Sequence, residues 1–476
     1  MLGAASLLTL VTLAGLITGF AREWLLVASW GAGARTDAFV IAMFIPEAVR
    51  SILAAGLLTS AALALWQGRD TSQRARWFSQ VSQVMALGSV ALATCISIGA
   101  PWLIRGMGPG LPAQALQDTA SALSIMAWSL PGLVLQAWWA MPRQAAGHFL
   151  LAGMGSLLYN LPPMLYLAWR RGQADEAALS WAFVCGSLAM GLIMLPSAWR
   201  NGLRPVPLKG SRQALVELGL KLAPLLGSAA AGQGLMLLER IVASYLGEGV
   251  VTAVNLARKL INLPLIALQS LNQVLLSLMS RSEAERTTLL RRGLSAVTVV
   301  SLPAALGLML GAPALVSMLF PKVQGTTVVV PLLAGYAAIL VLAGWNTLLA
   351  RYHYAEGDTR GPVSAELRGS LLQALALAPL AWLAGSVGIV WALLLGTLLT
   401  GRLLLQVPAL RRGLGLLPQA AVSALWLSLT WLGLRPHLSV DPIWQLMEAS
   451  LAATVCLVAT ALWLRPWRHP VAHVPE

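Results

Sequence analysis

Fourteen apolar segments, each long enough to cross a bilayer, follow one another along this chain with connections scarcely longer than a dozen residues. They fall at approximately 2–29, 35–66, 75–104, 113–139, 147–169, 174–198, 213–244, 249–280, 287–320, 326–350, 364–384, 386–408, 414–434 and 442–464. A hydrocarbon core about 30 Å thick calls for roughly 20 apolar residues per helix. Lipid offers the backbone no hydrogen bonds, so each peptide group must find its partner within the protein, and a chain of this pattern is restricted to helices. The expected fold is an all-α polytopic membrane protein with about 14 transmembrane helices. The first segment lacks a basic leader and a small-residue cleavage site, so it is expected to be a membrane helix and not a removable signal. Gly15, Gly19 and Pro46 lie inside the first two segments and predict kinks or breaks there.

Charge sets the orientation. The chain is 58% hydrophobic and 11% charged, yet carries 32 Lys plus Arg against 18 Asp plus Glu, a net +14. So apolar a composition excludes a disordered chain. It also argues against a nucleic-acid partner, because phosphate-backbone readers are polar proteins with clustered cations. Nineteen basic residues follow even-numbered segments or close the chain, among them Arg69, Arg143, Lys209, Arg286, Arg411, Arg412 and Arg468. Only six follow odd-numbered segments: Arg35, Arg105, Arg170, Arg171, Lys322 and Arg435. The positive-inside rule then puts both termini in the cytoplasm. The chain is expected to be a multi-pass membrane protein in this orientation.

An internal repeat divides the chain. Residues 27–42, VASWGAGARTDAFVIA, align without gaps to residues 242–257, VASYLGEGVVTAVNLA. Residues 99–110, GAPWLIRGMGPG, align to 311–322, GAPALVSMLFPK, at nearly the same offset. Six helices separate the copies, so both halves insert with the same orientation. The expected organisation is an N-terminal lobe over 1–205, a C-terminal lobe over 206–412, and two further helices with a short tail over 413–476. Parallel repeats of this kind are a transporter plan, with the cargo site expected between the halves near mid-membrane.

Seven basic residues remain inside or at the ends of the segments: Arg22, Arg50, Lys221, Arg240, Arg258, Lys259 and Arg368. Ionisable groups are costly in a bilayer, so they mark pairing or function. Arg22 and Glu23, then Asp37, Glu47 and Arg50, crowd the first two segments; Glu239, Arg240, Arg258 and Lys259 follow in the second half. Asp37 and Arg50 would be roughly 20 Å apart on a straight helix, so they can meet only if the helix breaks near Pro46. Glu239 and Arg240 project about 100° apart and should pair with different helices. The planar fork of Arg suits a phosphate or pyrophosphate, so an anion-binding cavity is expected, weighed against internal salt bridges or side chains reaching to the interface. Trp138 and Trp139 are expected in an interfacial belt. Cys95, Cys185 and Cys456 read as small buried hydrophobes. No nucleophile–base set, glycine-rich phosphate loop or metal-ligand spacing stands in the sequence, so no enzyme activity, cofactor or metal is expected.

The stretch GFAREWLLVASWGAGARTDAFVIAMFIPEAVRSILAAG (19–56) resembles the opening motif of the MurJ/MviN lipid II flippases of the MOP (multidrug/oligosaccharidyl-lipid/polysaccharide) exporter superfamily. ASYLGEGVVTAVNLARKLINLP (243–264) resembles that family's segment across helices 7 and 8. The resemblance implies two lobes plus two helices and alternating-access transport. The implied cargo is a polyprenyl-linked anionic glycolipid, an undecaprenyl-(pyro)phosphate-linked saccharide, either lipid II for peptidoglycan or an exopolysaccharide precursor. It implies Arg22, Arg50 and Arg258 as cavity arginines and Asp37 on the gate side of helix 2; Glu47, Glu239 and Arg240 are further candidates from their intramembrane positions alone. The chain departs from the pattern at Leu16 and Phe44, where the family has basic residues, and at Ala55, where it has an acid; Glu47 adds one. The membrane potential is expected to contribute, with a returning coupling ion the residues do not specify. Two other readings are open: a MATE-like small-molecule antiporter, which would want acids in its cavity, and a non-transporting membrane scaffold.

Overall fold

The computed structural model describes residues 2–54, 56–170, 172–207, 211–281, 283, 285–319, 326–406 and 416–465. Arg171, Lys209, Lys322, Arg411, Arg412, Arg468, Ala55, the boundary at 412/413 and the end of the second repeat match lie outside the described residues. Every regular element described is helical. The helices are α1 (Leu2–Trp30), α2 (Ala34–Ala42), α3 (Phe44–Ala54), α4 (Leu57–Gln67), α5 (Thr71–Met107), α6 (Ala113–Met126), α7 (Leu130–Ala145), α8 (Leu150–Gly153) and α9 (Gly155–Arg170). They continue with α10 (Glu176–Arg200), α11 (Ser211–Ser244), α12 (Val250–Arg281), α13 (Arg286–Leu319), α14 (Thr326–Ala355), α15 (Arg360–Ala384), α16 (Ser386–Leu404), α17 (Leu416–Leu429) and α18 (Pro442–Leu464).

Each apolar segment of the sequence coincides with one helix or a run of broken ones. Among the described residues, nine helical runs are long and apolar enough to span a membrane. Segment 35–66 is the most divided, into α2, α3 and α4. Pro46 has no N–H to give the Ala42 carbonyl, and the chain breaks there, between α2 and α3 at Met43. Gly15 and Gly19 do not divide α1. They are instead close-approach points: a Cβ on Gly15 would lie 2.9 Å from Ser156 Cβ, and one on Gly19 would lie 3.2 Å from Asn160 Nδ2. Small residues let helix backbones approach where lipid supplies no hydrophobic drive between helices.

The chain divides into two compact units, Met1–Thr252 and Ala253–Glu476. In the first, α4, α5, α7, α10 and α11 share a core around Trp138. This corrects the interfacial expectation for Trp138: it is fully buried, stacked on Phe78 at 5.7 Å and edge-on to Trp77 at 5.3 Å. Its indole N–H donates to Ser82 Oγ at 2.9 Å. The anchored polar tip that would suit an interface is satisfied internally. Trp138→Ala is expected to cost about 3–5 kcal/mol, read as a lowered melting temperature in detergent, with Trp139→Ala, a partly buried position, costing less. Cys456 is buried as expected, whereas Cys95 and Cys185 are exposed on the helix surface.

In the second unit α13 is the central helix, packed by α14 and α18. Gly307 and Gly311 receive Ala453 and Leu446, each of which would lie 3.3 Å from a Cβ added to the glycine it faces. Gln445 Nε2 donates to Leu310 O at 3.2 Å. The last helix, outside the sequence repeat, is thus fitted to the body of this unit.

Candidate functional site

The sequence placed Arg22 late in the first helix, and the fold surrounds it completely. Arg22 is 1% exposed. Its Nη1 donates to Asn160 Oδ1 at 2.8 Å, its Nη2 donates to Glu47 Oε1 at 2.5 Å and to Glu23 Oε1, and its guanidinium lies 4.9 Å from the Phe183 ring centre. Four helices supply these groups: α1, α3, α9 and α10. Asn160 is itself oriented by donating Nδ2–H to Ser156 O at 2.8 Å, in the space Gly19 leaves. Gly186 draws α10 against α9, since a Cβ there would sit 2.7 Å from Tyr159 O. Without that approach Phe183 would not reach the cation.

Arg50 joins the cluster through Tyr159, the neighbour of Asn160, with its guanidinium 5.4 Å from the Tyr159 ring centre. The break at Met43 gives α3 its own direction, and Glu47 and Arg50, three residues apart, share a face of it. Arg22 and Arg50 together balance Glu23 and Glu47, so these four side chains sum to zero charge. Within this cluster two donors, Nε of Arg22 and Nε of Arg50, are buried without a hydrogen-bond partner among the described residues.

Asp37 lies elsewhere in the first unit. It is fully buried, and its carboxylate accepts from Gly249 N–H at 2.6 Å, Thr252 N–H at 2.7 Å and Thr252 Oγ–H at 2.5 Å. These amides open α12, so Asp37 of α2 caps a helix 215 positions along the chain. A buried carboxylate at a helix N-terminus satisfies orphan N–H groups and complements the helix dipole. Gly249 allows this with φ +83°, a left-handed conformation that side-chain-bearing residues rarely adopt. Thr252 is the position equivalent to Asp37 in the repeat, so the two copies are bonded through matching residues. Both copies also share a local shape, a helix end, a glycine-containing turn and a new helix. Beside them, Gly110 N–H donates to Ser244 Oγ at 3.2 Å.

Glu239 and Arg240 project differently, as their spacing required: Glu239 is buried, and Arg240 lies 4.6 Å from the Phe44 ring centre. In the second unit Arg258 of α12 stands 5.2 Å from the ring centre of buried Tyr336. That unit also holds a cavity of roughly 450 Å³ whose polar lining includes Asn346, Arg351, Glu366, Gln373 and Thr397, none of them predicted from the sequence. Asn160, Tyr159 and Phe183 were missed too, although a lone Asn before Pro162 and Pro163 in an apolar helix is a legible signal.

Apolar helices long enough to span a membrane, with a buried arginine–carboxylate cluster in the first unit, define a multi-pass membrane protein. The fold is similar to a solved structure of "Lipid II flippase MurJ, inward closed conformation", with a TM-score of 0.85 and 18% identity, covering 96% of this chain and 99% of that one. An inward-facing MATE family multidrug transporter of the MOP superfamily matches with a TM-score of 0.70 and 14% identity over 86% of this chain and 95% of its own. The family model described as Lipid II flippase MurJ matches residues 26–463, so this chain belongs to the MurJ family. A relative from Burkholderia cenocepacia, named Lipid II flippase MurJ, is 26% identical over 95% of this chain and 93% of its own length.

Proposed function

We propose that this protein moves a polyprenyl-pyrophosphate-linked saccharide, lipid II in the first instance, from the cytoplasmic to the outer leaflet of a bacterial inner membrane by alternating access. The observation that carries this reading is that, inside this one intramembrane cluster, Nε of Arg22 and Nε of Arg50 are both buried without a hydrogen-bond partner. A buried unsatisfied donor costs about 1–3 kcal/mol, and a phosphate oxygen would satisfy it with a charge-assisted hydrogen bond. Family membership and the names its relatives carry support the cargo. Arg258, held over Tyr336, is the proposed third member of the set, with Glu239 and Arg240 as supporting members. Asp37 is proposed to act as a latch on α12 more than as a contact to cargo.

The topology that goes with this function has fourteen spans, both termini cytoplasmic, and parallel six-helix lobes over 1–205 and 206–412 followed by two helices. Moving one negative charge outward across an inside-negative membrane yields about 2.3 kcal/mol per 100 mV, so the potential favours export; any returning ion is an additional term. Reconstituted in vesicles, the purified protein should translocate fluorescent lipid II faster than protein-free vesicles and faster still under a potential of export polarity. Arg50→Ala and Arg258→Ala should each slow this by about tenfold or more, the loss of one ~1.4 kcal/mol contact or greater. Wild-type translocation no faster than in empty vesicles would overturn the function.

A further inference from the structure

Resting on that reading, we infer that Glu47 is a built-in anionic stand-in for the cargo: it holds a donor nitrogen of Arg22 that a phosphate would use, and exchange for it selects pyrophosphate-linked over monophosphate-linked lipids. The two carboxylates on Arg22 Nη2 are not equivalent. Glu23 neighbours Arg22 on α1 and is 1% exposed at its side chain, whereas Glu47 comes from α3 and is 17% exposed. Glu47 is therefore the partner that can leave. Nε–H and one Nη2 N–H point from the same edge of a guanidinium, the edge that receives two oxygens in a bidentate pair. In Arg22 Nε has no partner among the described residues, and Nη2 is shared between Glu23 and Glu47. The departure of Glu47 frees capacity on Nη2 which, with the unpartnered Nε, can receive phosphate oxygens.

The charge count then discriminates between cargoes. With Glu47 in place the two arginines and two glutamates are neutral. Exchanging Glu47 for a phosphodiester carrying one negative charge reproduces that balance and gains little. Exchanging it for a pyrophosphate diester carrying two adds a net attraction to Arg22 and Arg50 in a low-dielectric site, where each charge counts for more than in water. Specificity is a difference between affinities, and an internal competitor is one way to build it against the weaker anion. The same carboxylate, on returning to Arg22, helps expel the cargo.

Native mass spectrometry of purified protein, titrated with lipid II, a pyrophosphate diester, and with an undecaprenyl-monophosphate-linked sugar, a phosphodiester, tests this. The wild-type protein should prefer the pyrophosphate by about tenfold, ~1.4 kcal/mol. Glu47→Gln should bind both lipids more tightly and lose most of that preference. Glu47→Asp, which keeps the charge on a shorter arm, should lie between them, and decides the matter if Glu47→Gln does not fold. An unchanged preference in both variants, weaker binding of both lipids by Glu47→Gln, or a wild-type protein that binds the two lipids equally overturns the role of Glu47 and leaves the transport reading standing. A wild-type protein that retains neither lipid overturns both.

Discussion

Arg22→Ala is expected to abolish lipid translocation and to lower the melting temperature of the protein by more than any other single change in the cluster. The substitution removes the partner of Asn160, Glu23 and Glu47 at once. Glu23 then keeps a buried carboxylate without its cation, and breaking a buried pair from one side typically costs about 3–5 kcal/mol. A loss that large would by itself lower activity, so stability and function need separating. Arg22→Met combined with Glu23→Gln replaces the cation and its fully buried carboxylate by neutral side chains of similar length, and removing both partners is far less costly than removing one. The double variant should recover part of the lost stability and none of the transport. Arg22→Lys keeps the charge, but a compact ammonium cannot reproduce the planar fork that reaches Asn160 and both glutamates; transport should fall by about tenfold or more. Translocation at the wild-type rate in Arg22→Ala, at equal protein levels, would remove this arginine from the mechanism.

The helices were legible because membrane insertion is written along the chain: apolar length and charge position are one-dimensional signals. The intramembrane charges were legible for the same reason, since each stands out against an apolar background. Their partners were not. Arg22 meets Asn160, 138 positions away, and Asp37 meets Gly249 and Thr252, 212 and 215 positions away; no periodicity encodes such distances. Ambiguous residue types account for the remaining differences. Glycine signals both flexibility and close packing, and Gly15 and Gly19 serve the second. Tryptophan at a helix end suits an interface, yet Ser82 supplies the partner that lets Trp138 sit in the core. Glu47 reads in the sequence as an acid added to the family pattern; only its placement against Arg22 gives it a specific role. The alignment of the two repeats is the most informative sequence signal, because its equivalent positions Asp37 and Thr252 are directly bonded.

Asp37→Asn is expected to be nearly as damaging as Arg22→Ala, through conformation and not through cargo. The native carboxylate accepts from two backbone amides and a hydroxyl, using both oxygens. An asparagine offers one acceptor and turns an NH₂ group toward a backbone N–H, so at least one donor at the start of α12 is left unsatisfied at about 1–3 kcal/mol. Loss of the charge at the helix N-terminus adds up to about 2 kcal/mol in a buried geometry. A contact weakened by roughly 3 kcal/mol shifts an equilibrium between closed and open arrangements by about a hundredfold. Ser244, 3% exposed and bonded to Gly110, reports on the opening. Placed as Ser244→Cys in a background with Cys95, Cys185 and Cys456 replaced by serine, it should resist a membrane-impermeant maleimide when Asp37 is intact and react many times faster in Asp37→Asn. Thr252→Val removes only the hydroxyl of the triad and should raise reactivity by a smaller factor. The two changes should be less than additive, because they break one shared network. Equal labelling in all these proteins would mean that the Asp37 cap does not hold this end of α12 closed, and additive effects would mean that Thr252 acts apart from it.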